Sequence, residues 1–154
     1  MAIACPTILD SSFLSFYRGF GEYYQKDFER ASKDFNRAYE IDPTLYAQIG
    51  KALSESIAHR GADGLQILHS LENKITDRGI GDPEAAYKIA QAYAVLGTRF
   101  LLSVRYDVAL SLACFLIPDI ATDPLLTGFR SKTEFRQTLE ASRQRHGVFR
   151  HTFF

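Results

Sequence analysis

The sequence predicts an all-α chain, built as a stack of helix-turn-helix units with a C-terminal cap. Three observations carry this. Apolar residues recur at offsets of three and four through most of the chain, and no stretch alternates with period two for long enough to make a strand. Asp-Pro pairs at 42–43, 82–83 and 123–124 supply a capping carboxylate followed by a residue suited to the first helical position. The connections left between periodic segments are short, which favours antiparallel neighbours.

Taken in order, the pattern predicts helices over about 11–25, 28–40, 43–59, 62–77, 83–96, 99–116 and 133–146, with a short helical turn near 124–129. The second is the clearest. In "DFERASKDFNRAYEIDP", Ala31, Phe35 and Ala38 share one face, while Asp27, Glu29, Arg30, Lys33, Asp34 and Arg37 fall largely on the other. Small residues on either side of one aromatic suit a helix that meets its neighbour closely. Gly61, Gly79, Gly97 and Gly147 are expected stops or breaks. Ser131 followed by Glu134 is a capping-box pattern for the last helix.

Composition narrows the function. With 154 residues, 46% hydrophobic and 23% charged, the chain can build a core, and wholesale disorder is excluded. A formal net charge of zero argues against a dedicated binder of nucleic acid or anionic membranes. Basic residues between Arg130 and His151 do not share one stripe and read as a solvated face. The longest apolar run, 108–117, is far short of the ~20 residues of a spanning helix, so no membrane insertion is expected. The start "MAIACPTILDSS" lacks the basic end and apolar run of a signal peptide. Cys5 and Cys114 have neither metal spacing nor a disulfide framework, which fits a reduced, cytoplasmic protein.

No catalytic constellation is legible. His59, His69, His146 and His151 include no i, i+4 pair of the kind that holds zinc on a helix. No serine or cysteine sits in a nucleophile context, and the glycines of "RGADG" and "RGIGDP" do not form a phosphate loop after a strand. The expectation is a non-enzyme without cofactor or metal.

The helical pairs resemble one another. Gly21 and Tyr24 precede Ala31, Phe35, Ala38 and Pro43; Ile49, Gly50 and Leu53 precede Ala62, Leu65 and Leu68; Ile89, Ala90, Tyr93 and Gly97 precede Leu102, Tyr106 and Ala109. Over residues 12–118 this resembles the tetratricopeptide repeat family, whose period is ~34 residues. Pairing Gly21, Gly50 and Ala90 makes the array irregular. The resemblance implies one α-solenoid domain over 1–154, with repeats at about 11–42, 43–81 and 82–118 and a cap at 119–154. The segment from Pro118 through Asp123, Pro124, Leu125, Leu126, Phe129, Arg130, Phe135 and Leu139 resembles the element that closes such arrays in some bacterial regulatory proteins.

The function implied is a protein–protein interaction scaffold that binds a protein or peptide through a concave groove. Carried over unit by unit, the groove residues are Arg18 and Glu22, then Ala47, Lys51 and Ser54, then Tyr87, Gln91 and Ala94. The alternative is the sensor region of a larger bacterial signalling protein, such as a kinase, a cyclase or a winged-helix regulator. The segment 99–116 is apolar almost all round; Phe100, Leu101, Val104, Val108, Leu112 and Phe115 are expected to form a self-association surface, most simply a two-fold homodimer.

Overall fold

A computed structural model describes residues 11–78, 82–97 and 117–153. These residues form helices, with no strand among them, and the fold is all-α. The chain divides after Arg78 into two compact units. The first contains α1 (Ser12–Tyr24), α2 (Phe28–Ile41), α3 (Leu45–Ile57) and α4 (Gly61–Arg78). The second contains α5 (Pro83–Val95), α6 (Ile117–Thr122), a 3-10 helix (Pro124–Phe129) and α7 (Thr133–Phe153). The apolar segment 99–116, with Phe100, Leu101, Val104, Val108, Leu112 and Phe115, lies outside the described residues.

In the first unit each helix packs on the next, and α1 also meets α3. The core of this stack is Phe35 of α2, which is fully buried. A Cβ added at Gly19 of α1 would come within 2.8 Å of the Phe35 ring, and so would one added at Gly50 of α3. The ring therefore fills a slot that only glycine leaves open on both sides. The Gly19 Cβ would also stand 3.2 Å from the Ala31 carbonyl, so the backbones of α1 and α2 approach closely where both side chains are small. Phe20 meets Phe35 edge-on at 5.6 Å between ring centres, and Phe16 lies 6.2 Å away. Both geometries suit the aromatic quadrupole.

The caps reveal a register. Ser11, Thr44 and Asp82 cap α1, α3 and α5, each accepting a bond from the first turn. Lys26, His59 and Gly97 follow the same three helices in the left-handed conformation, with φ of 64°, 59° and 73°. The interval from Ser11 to Thr44 equals that from Lys26 to His59, and the interval from Thr44 to Asp82 equals that from His59 to Gly97. α1, α3 and α5 thus have the same length from cap to left-handed residue. In this register Gly19 corresponds to Ala52 and Ala90, all small and all buried.

Several expectations are corrected. Gly21 is not the close-approach residue: it is exposed, and a Cβ there meets nothing within 4 Å. The pairing of Gly21, Gly50 and Ala90 gives way to Gly19, Ala52 and Ala90. Asp42 does not cap α3. It closes α2, its N–H bonding to Ala38 O, and Thr44 takes over as cap, so Pro43 stands between the helices. The second stop belongs to His59 and not to Gly61, which opens α4. The last helix runs through Gly147 to Phe153. One glycine costs only about 1 kcal/mol in a helix, too little to end it unaided. Asp82 with Pro83 and Asp123 with Pro124 do open their helices as expected.

In the second unit Tyr87 and Ala90 of α5 are buried with Ile120, Leu126, Phe129, Phe135 and Leu139. Leu126, Phe129, Phe135 and Leu139 belong to the segment expected to cap the chain.

Two measurements check this packing. Phe35→Ala is expected to cost about 3–5 kcal/mol, and Gly19→Ala or Gly50→Ala about 1–3 kcal/mol through overpacking. Gly21→Ala, at an open position, should instead add up to about 1 kcal/mol. Urea denaturation of these variants gives the order. Separately, His59→Gly and Lys26→Gly should each raise the thermal midpoint, because a left-handed non-glycine residue costs roughly 1–2 kcal/mol while glycine's added chain entropy offsets only part of that.

Candidate interaction site

The polar residues expected to line a groove bond to neighbouring helices. On α1, the Arg18 guanidinium forms a two-pronged bond to the Asp34 carboxylate of α2, through Nε and Nη2. Asp34 is buried, and Arg18 holds its carboxyl below the usual carboxylate range. Glu22, one turn on, is half-buried, and its Oε2 atom is shielded from water with no hydrogen-bond donor. Burial pushes the Glu22 carboxyl up, and the neighbouring Asp34 charge adds to this.

The equivalent positions on α3 are Lys51 and Glu55, and here both groups are paired. The Lys51 ammonium donates to Asn36 Oδ1 of α2 at 2.7 Å and pairs with Glu55 at 2.9 Å. Asn36 donates to Ser54 Oγ at 2.8 Å, and the Ser54 and Ser32 hydroxyls lie 2.9 Å apart. Arg60, in the turn before α4, closes on the other oxygen of Glu55. The Glu55 carboxyl is therefore lowered, chiefly by Arg60 and then by Lys51. Ala47 is sealed from solvent altogether.

On α5 the result is the same. The Tyr87 hydroxyl and the Gln91 amide both donate to Asp123 Oδ2, the latter at 2.6 Å. Asp123 Oδ1 accepts from the Leu125 N–H at 2.8 Å, and the Asp123 carbonyl accepts from Arg130 at 2.9 Å. Tyr87, Gln91 and Asp123 are all buried, and Ala94 packs against the same core. None of Ala47, Tyr87 or Gln91 offers a surface to a partner. The i, i+4 spacing located real stripes whose polar groups bond within the chain, with the Arg18 side chain still 46% exposed.

The exposed surface that sequence reasoning missed is aromatic. Phe13 is 57% exposed and Leu14 39%. Phe13 meets Tyr17 at 4.5 Å and Tyr46 of α3 at 5.8 Å, with Tyr17 and Tyr46 6.1 Å apart. Phe13 and Tyr46 each stand at the same step beyond the cap of their helix, so the cluster bridges equivalent points of α1 and α3. The Ser12 hydroxyl fixes it from behind, lying 2.8 Å from Ala38 O and 2.9 Å from Asp42 O. The available signal was Phe13 and Tyr46 standing two positions after Ser11 and Thr44; it needed the right register to be read.

A concavity of about 480 Å³ lies between α2, α3 and α4, lined by Tyr39, Gln48, Glu55, Arg60, Asp63 and Ile67. Its charges are already matched, with Glu55 held by Arg60 and Lys51, and Asp63 3.7 Å from Arg60. Among the described residues no three His, Cys, Asp or Glu side chains converge as metal ligands, and no helix is long and apolar enough to cross a membrane.

The carboxyl environments predict a pH dependence with opposing signs. Asp34 and Glu55 are depressed, so their stabilisation is present above the ordinary carboxylate pKa of about 4 and is lost as pH falls through their lowered values. Glu22 is raised, so its contribution is present in acid and lost as pH rises through its own value. Glu22→Gln should therefore raise the thermal midpoint at pH 7 and leave it unchanged near pH 4. Arg18→Met should lower it at pH 7 by the equivalent of about 1 kcal/mol, discounted for the exposed guanidinium, and lose its effect in strong acid.

No protein-family model matches the chain, and no solved structure matches it.

Proposed function

We propose that the chain is a non-catalytic protein-interaction scaffold of tetratricopeptide type, with a protein or peptide partner docking on the face shared by α1 and α3. The observation that carries this is the recurrence of one first-helix geometry, from Ser11 to Lys26, Thr44 to His59 and Asp82 to Gly97, with Phe13 and Tyr46 brought into contact at equivalent points. The two intervals between these starts bracket the ~34-residue period of the family. A stack of hairpins presents the same position of each first helix side by side, which makes an extended surface suited to a chain-like ligand. The aromatic cluster supplies large, rigid contact area at low entropic cost, the chemistry of binding hot spots. A cytoplasmic setting accords with the two cysteines, which have no disulfide spacing.

Peptide-library selection on the wild-type protein, followed by titration of the enriched sequences, tests this. Binding should fall at least about tenfold for the Phe13→Ser/Tyr46→Ser double variant, the loss expected for a truncated aromatic anchor. The far-UV circular dichroism should not change. Equal affinity for wild type and the double variant would remove this face from consideration.

A further inference from the structure

We propose that Glu22 is a proton-operated latch on the first hairpin. With its proton it donates to Asp34 and ties the end of α1 to α2; without it, the side chain leaves the seam and the turn after α1 opens. This goes beyond partner binding and rests on a comparison of two turns of the same chain.

The turns after α1 and α3 are built alike. In each, a left-handed residue, Lys26 or His59, bonds back into its helix, from its N–H to Tyr23 O or Ser56 O at 3.0 Å. In each, the next N–H, of Asp27 or Arg60, bonds to the carbonyl of a glutamate, Glu22 at 3.0 Å or Glu55 at 2.8 Å. This paired ending is the Schellman motif. Side chains at 27 and 60 therefore start from the same place relative to Glu22 and Glu55. After α3 that place holds Arg60, which bonds the Glu55 carboxylate. After α1 it holds Asp27, of the opposite charge. Asp27 is engaged by α2, accepting from the Arg30 N–H and pairing with the Arg30 side chain.

The charges that face Glu22 are also fixed. Arg18, on its own helix, is held by both oxygens of Asp34. From α2, Asp34 faces Glu22 directly, and Arg37 acts on Asp34. On α3, Lys51 stands in the place of Arg18 and is taken by Asn36 and Glu55. Glu22 is left with a water-shielded oxygen and no donor, against a second carboxylate. Two carboxylates repel one another, whereas a carboxylic acid and a carboxylate share a strong hydrogen bond. Only by keeping a proton does Glu22 bond to Asp34. Burial favours that proton most, then the charge of Asp34; Asp27 adds to this and Arg18 opposes it. A raised carboxyl stabilises the fold below its ordinary value, about 4.3 for glutamate, and that stabilisation is lost as pH rises through the folded value. The latch is thus closed in acid and opens as pH rises. Glu55, lowered by Arg60 and then Lys51, gives the turn after α3 no such response in the same range.

Amide hydrogen exchange between about pH 4 and pH 8, corrected for intrinsic rates, reads both turns in one protein. The Asp27 amide should lose protection severalfold as pH rises through the Glu22 titration, while the Arg60 amide keeps its own. Carboxyl carbon-13 NMR should place that titration above the ordinary glutamate value. Glu22→Gln donates to Asp34 at every pH and should hold the Asp27 amide protected throughout. Asp27→Arg should lower the Glu22 titration, as Arg60 does for Glu55, though it removes the α2 cap; wild type and Glu22→Gln decide the matter if that variant does not fold. A Glu22 titration at or below the ordinary value overturns the proposal. An Asp27 amide as insensitive to pH as Arg60 does the same, and so does one that responds equally in Glu22→Gln, since another group would then open the turn. None of these outcomes bears on peptide binding at Phe13 and Tyr46.

Discussion

One aromatic ring sets the spacing of the first unit. Phe35 is clasped between two helices that both lack a side chain where it enters, at Gly19 and Gly50. Because close-packed interiors neither compress nor leave gaps cheaply, this single contact sets how near α1 and α3 come to α2, and hence to each other. That distance lets Phe13 and Tyr46 touch. The surface proposed for binding is thus a consequence of a buried slot about two turns away along α1.

Around this slot the chain uses its charges internally. Arg18 with Asp34, and Lys51 with Asn36 and Glu55, place ionic and hydrogen-bonding groups in the seams between consecutive helices. Such groups are expensive to bury unless each finds a partner. The gain is specificity of register, because an apolar seam alone would tolerate sliding by a turn while a two-pronged Arg–Asp bond does not.

The second unit solves the problem differently. Its organising group is one buried carboxylate. Asp123 caps the 3-10 helix through the Leu125 N–H and receives the Tyr87 and Gln91 side chains of α5. A cap that is also the target of two side chains from a distant helix couples local structure to tertiary structure, so Asp123 ties α5 to the closing segment beside the apolar core they share. Lys88, beside Tyr87, is drawn into the same region, and burial pushes its ammonium below the usual lysine range.

The helices themselves were legible in the residues. Periodicity, short connections and Asp-Pro punctuation depend on the chain's local chemistry, and α1 to α5 and α7 lie close to where these signals put them, the far end of α7 apart. Ala31, Phe35 and Ala38 could be assigned to a close helix contact for the same reason. What the residues could not give was depth and direction. Gly19 and Gly21 are chemically identical, yet one is pressed against an aromatic ring and the other stands open, because they face different sides of one helix. Lys51 and Gln91 read as groove-lining because polarity is a property of a side chain, whereas Asn36 and Asp123, to which they bond, lie far from them in the chain. The common register of α1, α3 and α5 came only from their caps and left-handed residues, since a small shift along a helix changes which neighbour a side chain meets. Local preference thus determined what kind of element each segment is. Packing decided which face each one hides, because that depends on residues far away in the chain.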